Sequence, residues 1–189
     1  MSDTDTEVAL FDVARLRRLI FSTENQSVYA VLDGASVPDL LEKLQTAKEE
    51  WASLYRGELE PDLAEVAPYL VKLRPDSPLT TWILTEGWGQ HWGTFVVTPV
   101  GLEALRRHFR GFLRVRDHTG KILYFRFYDP RVLRVYVPTC RRDEIKAFYG
   151  PVQQYIAEDS KPGSALVFAH DPVKVKAVAV ALLAGPATG

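Results

Sequence analysis

Cysteine is almost missing from this chain. Cys140 is the only one in 189 residues, so no disulfide can form within the chain and a reducing compartment is expected. Long apolar runs are missing too. The longest uncharged apolar stretch, from Ala177 to Gly185, is far short of the roughly 20 residues a membrane span needs. The start of the chain, MSDTDTEVAL, is acidic, where a secretory signal would begin basic and turn apolar. A cytoplasmic location is therefore expected. The glycine patterns of known chemistry are equally scarce. Gly-x-Ser-x-Gly, Gly-x-x-x-x-Gly-Lys-Ser/Thr and Gly-x-Gly-x-x-Gly do not occur, which removes the usual signatures of a nucleophile elbow, a phosphate loop and a dinucleotide turn. Gly87-Trp88-Gly89 lacks the third glycine and sits beside bulky tryptophans. His91, His108, His118 and His170 are scattered, with no zinc-hydrolase spacing among them, so a metal site would have to assemble from long-range contacts. No cofactor is expected. A lone Cys140 after Val-Tyr-Val-Pro-Thr reads more readily as a small filler residue than as a nucleophile.

The remaining composition is that of a globular protein: 47% hydrophobic, 25% charged, 23 Lys+Arg against 24 Asp+Glu. At this length about 70% of the surface of the unfolded chain can be buried, enough for a hydrophobic core without metal or disulfide support. The charge is unevenly placed. Residues 1–76 carry 8 basic and 15 acidic side chains, net −7, and residues 106–146 carry 12 and 4, net +8. Such segregation fits an acidic partner, a nucleic-acid face or two mutually attracting parts of one fold. A solvated basic helix beside an acidic one is the plainest of these readings.

Hydrophobic spacing predicts helices over 8–21, 36–55, 77–87, 102–115 and 143–149. Short apolar or alternating runs predict strands over 27–32, 67–73, 92–98 and 121–128, with weaker signals at 152–156 and 165–168. Asp117-His118-Thr119-Gly120 reads as a turn, and Asp129-Pro130 as the end of a strand. This alternation predicts an α/β fold: a mixed β-sheet flanked by helices in a single domain. Residues 1–160 would form the α/β domain. Residues 161–189 would be a C-terminal extension packed on it, set off by the Lys161-Pro162-Gly163-Ser164 turn and frayed over 185–189.

The chemically richest segment is Phe125-Arg126-Phe127-Tyr128-Asp129-Pro130-Arg131. An acid flanked by arginines can make bidentate, charge-assisted hydrogen bonds. These would serve either as an internal brace or as a surface anchor, since Tyr, Trp and Arg dominate interface hot spots. Trp82, Trp88, His91 and Trp92 pose the same choice between core and interface.

Several separated elements also bear a family likeness. These are Tyr29-Ala30-Val31-Leu32-Asp33-Gly34-Ala35, Ala67-Pro68-Tyr69-Leu70-Val71, Trp88-Gly89, His108-Phe109-Arg110, the run from Phe125 to Leu133, and Phe148-Tyr149-Gly150-Pro151. Together, over Val28 to Pro151, the chain resembles a bacterial domain-of-unknown-function family of adaptor chaperones of the type VI secretion system, typically encoded between a VgrG spike protein and a toxic effector. Tyr149 departs mildly from the Phe-Phe-Gly-Pro form of the last element, and members of the family often continue into a larger C-terminal lobe. The resemblance implies a non-enzymatic adaptor, bound to its cognate effector toxin and to the VgrG spike. On this reading Arg110, Arg126, Tyr128, Asp129, Arg131, Trp88 and Trp92 contact the partner. An alternative is an enzyme or binding protein that clamps a small anionic ligand with Arg110, Arg126 and Arg131. Nucleic-acid binding is a third possibility, disfavoured by a pI near 6.4.

Overall fold

The computed structural model describes residues 11–116, 119–171 and 175–183. Its centre is β1 (Ser27–Asp33), buried from Val28 onwards, because sheet and helices cover it on every side. β1 lies between β3 (Pro68–Leu73) and β4 (Gly93–Thr98), pairing antiparallel with both. The short β2 (Trp51–Ser53) adds outside β3. On the other side follow β7 (Gln154–Glu158), β8 (Ser164–Ala169) and β9 (Lys176–Ala181). The order is β2-β3-β1-β4-β7-β8-β9. The expected α/β layering is present, and every one of these pairings is antiparallel rather than mixed. The reason is topological. β1 and β2 run in the same direction, as do β3 and β4, but in each case a third strand lies between the two.

Period-2 alternation sends the two sides of β1 into two different cores. Val28, Ala30 and Leu32 join Val71, Phe95, Val97 and Ile156 beneath α1 (Val13–Ile20), α2 (Leu40–Thr46) and α4 (Pro78–Glu86). Tyr29 and Val31 join Leu70, Val96 and Tyr155 beneath α5 (Leu102–Arg110), α6 (Pro130–Thr139) and α7 (Arg142–Tyr149). This second core is aromatic: Phe109, Phe127, Phe148, Tyr149 and Tyr155 are buried and in mutual ring contact. Each such side chain contributes about 1.5–3 kcal/mol by leaving water.

The helix starts follow capping chemistry. Asp12 accepts from the amides of Ala14 and Arg15 at 2.8 and 3.1 Å, which starts α1 at Val13; residues 8–10 of the expected helix lie outside the described residues. Ser77 accepts from Thr80 at 3.0 Å with Pro78 in the first turn, as expected for α4. Four expectations need correction. The helix expected over 36–55 is only α2; Ser36 spends its hydroxyl on Asp33, and Trp51-Ala52-Ser53 pairs with β3 as a strand. α5 ends at Arg110 on Gly111, after which β5 (Arg114–Arg116) and β6 (Ile122–Tyr124) form a separate hairpin. The strand expected over 121–128 is therefore only β6. Asp129-Pro130 begins α6 instead of ending a strand, because Asp129 caps the helix and Pro130 fills its first position. Of the expected 117–120 turn, Asp117 and His118 lie outside the described residues, as do 185–189. The Lys161–Ser164 turn joins β7 to β8 within the sheet, the short α3 (Pro61–Glu65) leads from β2 into β3, and β9 falls where no strand was expected.

Candidate functional site

At one end of the sheet the register gathers residues that are remote in sequence. Asp33 lies opposite Pro68, and its neighbour Leu32 lies opposite Gly93. Carrying the β4–β7 register on from Phe95↔Ile156 brings Glu158 beside Gly93. Thr94 donates its hydroxyl to the Tyr128 carbonyl at 2.9 Å, which lashes the segment before α6 to the same end.

Three carboxylates sit buried there, with Asp33, Asp129 and Glu158 at 2%, 5% and 4% exposure. Each has cationic or polar partners, as burial of a charge requires. Asp33 accepts from the Ser36 hydroxyl at 2.7 Å, the Ala35 amide at 3.3 Å and the Arg126 guanidinium. Asp129 accepts a bidentate pair from Arg131 Nε and Nη2 at 3.0 and 2.7 Å, and the Arg131 amide at 2.9 Å. Burial pushes the Asp129 carboxyl up, but the Arg131 hydrogen bonds, with Arg126 nearby, outweigh it and hold the carboxyl below its ordinary value. Glu158 accepts from the His91 amide at 3.1 Å and meets His91 Nδ1 at 2.6 Å, while its carbonyl accepts from Arg134 at 2.8 Å. Here burial prevails and raises the carboxyl despite His91. Desolvation, then the neighbouring Asp33 carboxylate, also pushes the buried Tyr128 phenol up, so it stays protonated and serves as packing and hydrogen-bonding surface.

The seven residues expected to meet a partner therefore occupy different places. Arg126, Tyr128, Asp129 and Arg131 do come together, as a brace with the two guanidinium groups half-exposed on its outside. Arg110 stands apart on α5, donating to the carbonyls of Leu54, Ser53 and Tyr55, with Arg106 also bonded to Ser53. It clips the β2 segment onto the helix. Trp88 and Trp92 are each only 8% exposed, in ring contact with Phe95 and Trp82 respectively. They belong to the first core.

Other residues with chemical potential are also tied down. His108 Nε2 lies 2.9 Å from the Phe148 carbonyl, and burial lowers its basicity. Gly150, at φ +47°, leaves room for that ring: a Cβ there would stand 2.5 Å from His108 Cε1. Burial pushes the Cys140 thiol up, opposite to the direction a nucleophile needs. Among the described residues no group of three or more His, Cys, Asp or Glu could hold a metal ion.

An exposed apolar surface lies nearby, on residues that, apart from Arg110, are not among the seven expected to meet a partner. The β5–β6 hairpin shows Val115, Ile122, Leu123 and Tyr124 to solvent, the last 71% exposed. Beside it runs a groove of about 500 Å³ lined by Leu54, Tyr55, Leu63, Tyr124 and the cations Arg56, Arg110 and Arg114. No acid lines it, and Arg126 and Arg131 do not either. The signal was present in Lys121-Ile122-Leu123-Tyr124: consecutive apolar residues face both sides of a ribbon only two strands wide. An isolated ribbon cannot bury both sides.

No curated protein and no solved structure matches the chain. Five of the six elements noted above as a likeness meet in space: Asp33 with Arg126, Gly34 against the Ala67 carbonyl, His108 with Phe148 and Gly150. Residues 28–147, more than half of the chain, match a family model described as Domain of unknown function (DUF4123), and the chain belongs to that family.

Proposed function

We propose that this protein is a non-enzymatic adaptor of the type VI secretion system, which binds a cognate effector toxin in the cytoplasm and helps to load it onto the VgrG spike. Membership of the family supports this reading, as does the resemblance of its motifs to those of effector adaptors. The carrying observation is the exposed apolar hairpin beside a cation-lined groove. Tyr124 and Leu63 supply aromatic and apolar contact area, and Arg56 and Arg114 supply charge around it, the composition that dominates interface energetics. The matching partner element is an apolar segment bearing acidic residues, and complementary charge would speed its encounter and reject wrong effectors. The pairs of buried Asp33 with Arg126 and buried Asp129 with Arg131, each guanidinium half-exposed, brace the platform that carries the hairpin. No helix among the described residues is long and apolar enough to cross a membrane.

The test is co-purification with the effector encoded beside this gene. Tyr124→Asp, at an exposed position, should leave the melting temperature unchanged and weaken capture at least tenfold, about 1.4 kcal/mol. Undiminished capture by a Tyr124→Asp, Leu63→Ser double variant would remove the hairpin and groove from the interface.

A further inference from the structure

β9 closes one side of the sheet, and its sequence, Lys-Ala-Val-Ala-Val-Ala, has little of what protects an edge. It contains no proline, no acid and one lysine, at its very start, and all its residues except Val180 are exposed. Among the described residues no strand lies on its outer side. Such an edge is a template for another strand.

Its hydrogen-bonding phase can be read from its neighbours. The Leu182 amide donates to the Gly163 carbonyl at 2.7 Å, which fixes Gly163 and Leu182 as a bonded pair. Stepping by two along the Ser164↔Ala181 register makes Val180, Val178 and Lys176 the residues bonded to β8. The amides and carbonyls of Ala177, Ala179 and Ala181 therefore point to the open side. Three outward alanines, spaced two apart, are self-complementary in the antiparallel sense. A two-fold axis at Ala179 sets Ala179 against Ala179 of a second copy and Ala177 against Ala181, as bonded pairs. Val178 then falls opposite Val180 of the second copy in the closer, non-bonded positions, where side chains touch. The two Lys176 side chains end up at opposite ends of the joint, each facing Leu182, so no like charges meet.

We infer that β9 pairs antiparallel with β9 of a second copy of this chain, joining two sheets into one across a two-fold axis. The pairing forms about six main-chain hydrogen bonds, and the small area predicts a weak, concentration-dependent dimer. Its surface is distinct from the hairpin and groove, so the inference stands apart from the adaptor reading.

Sedimentation velocity on the full chain across a concentration series tests it. The wild type should pass from monomer to dimer. Ala179→Pro deletes only an outward amide and keeps the β8 bonds, so it should shift the dissociation constant up at least tenfold with an unchanged melting curve. As a second test independent of proline, Ala179→Lys and Ala179→Glu should each be monomeric, and an equimolar mixture should dimerise, because the two-fold axis places residue 179 against itself. A wild type that stays monomeric throughout overturns the inference; effector capture lost in Ala179→Pro of such a monomer would assign the edge to a foreign strand instead. Dimers that persist in Ala179→Pro and in Ala179→Lys alone also overturn it.

Discussion

Replacing Asp129 separates two contributions that meet in one side chain. Asp129 caps α6 through the Arg131 amide and also holds the Arg131 guanidinium in a bidentate pair. Loss of an N-cap costs about 1 kcal/mol. A charge-assisted pair would add more if wholly buried, but the Arg131 side chain is over half exposed, and solvent screening reduces that contribution to about 1 kcal/mol. Asp129→Ala should therefore destabilise the fold by about 2 kcal/mol, lowering the urea midpoint by about 1 M at a slope near 2 kcal/mol/M. Asp129→Asn keeps an acceptor for the cap and should lose about half as much. Arg131→Ala keeps the cap and loses the pair, with a similar half-effect. The pair also has a pH signature. Its carboxyl is held below the ordinary value in the folded chain, so its stabilisation is present above the unfolded carboxylate pKa of about 3.9 and is lost as acid titrates through the lower folded value. Urea unfolding of the wild type and the three variants, at neutral pH and near pH 3, reads all of this. A wild-type midpoint for Asp129→Ala, or equal damage from Asn and Ala, would refute the division into cap and ion pair.

Glu158 should behave in the opposite sense: its folded value is raised by burial, so wild-type stability should fall as pH rises from the unfolded value through the folded one. Glu158→Gln removes that slope, and thermal melts from pH 4 to 7 should show the variant gaining on the wild type as pH rises. Gly93 tolerates no side chain, because a Cβ would stand 2.1 Å from the Val31 carbonyl oxygen in the central strand. Gly93→Ala should cost about 3 kcal/mol through overpacking, seen as a matching drop in the urea midpoint. A near-wild-type midpoint would show that β1 and β4 can part without penalty.

Much of the architecture could be read from the amino acids because local chemistry and tertiary context agreed there. The apolar run at Val28–Leu32 and the Ser77-Pro78 cap each became the expected element, and the amphipathic arginine-bearing α5 did so as far as Arg110. Failures occurred where one signal served two structures. Asp-Pro ends strands and also starts helices, and at 129–130 the helix won because Asp129 had an amide to cap. Trp51-Ala52-Ser53 fits a helix by composition but was claimed by the free edge of β3, a long-range pairing with no local trace. The candidate surface was harder still. Arginines and tryptophans look alike whether they brace a core or face a partner, and only the fold shows Arg126 on Asp33, Arg110 on three carbonyls and Trp92 under α4. Tyr124, the most exposed aromatic on the hairpin, sits within a run that reads as ordinary strand until the ribbon proves too narrow to cover it.

Under the proposed adaptor role, hydrogen exchange on the chain mixed with a toxin encoded beside its gene tests most directly whether this platform grips another polypeptide through its hairpin. The account predicts new protection confined to residues 54–66 and 113–124 on binding. Protection over 126–134 with the hairpin unchanged, or a folded chain that shows no footprint with any co-encoded effector, would contradict it.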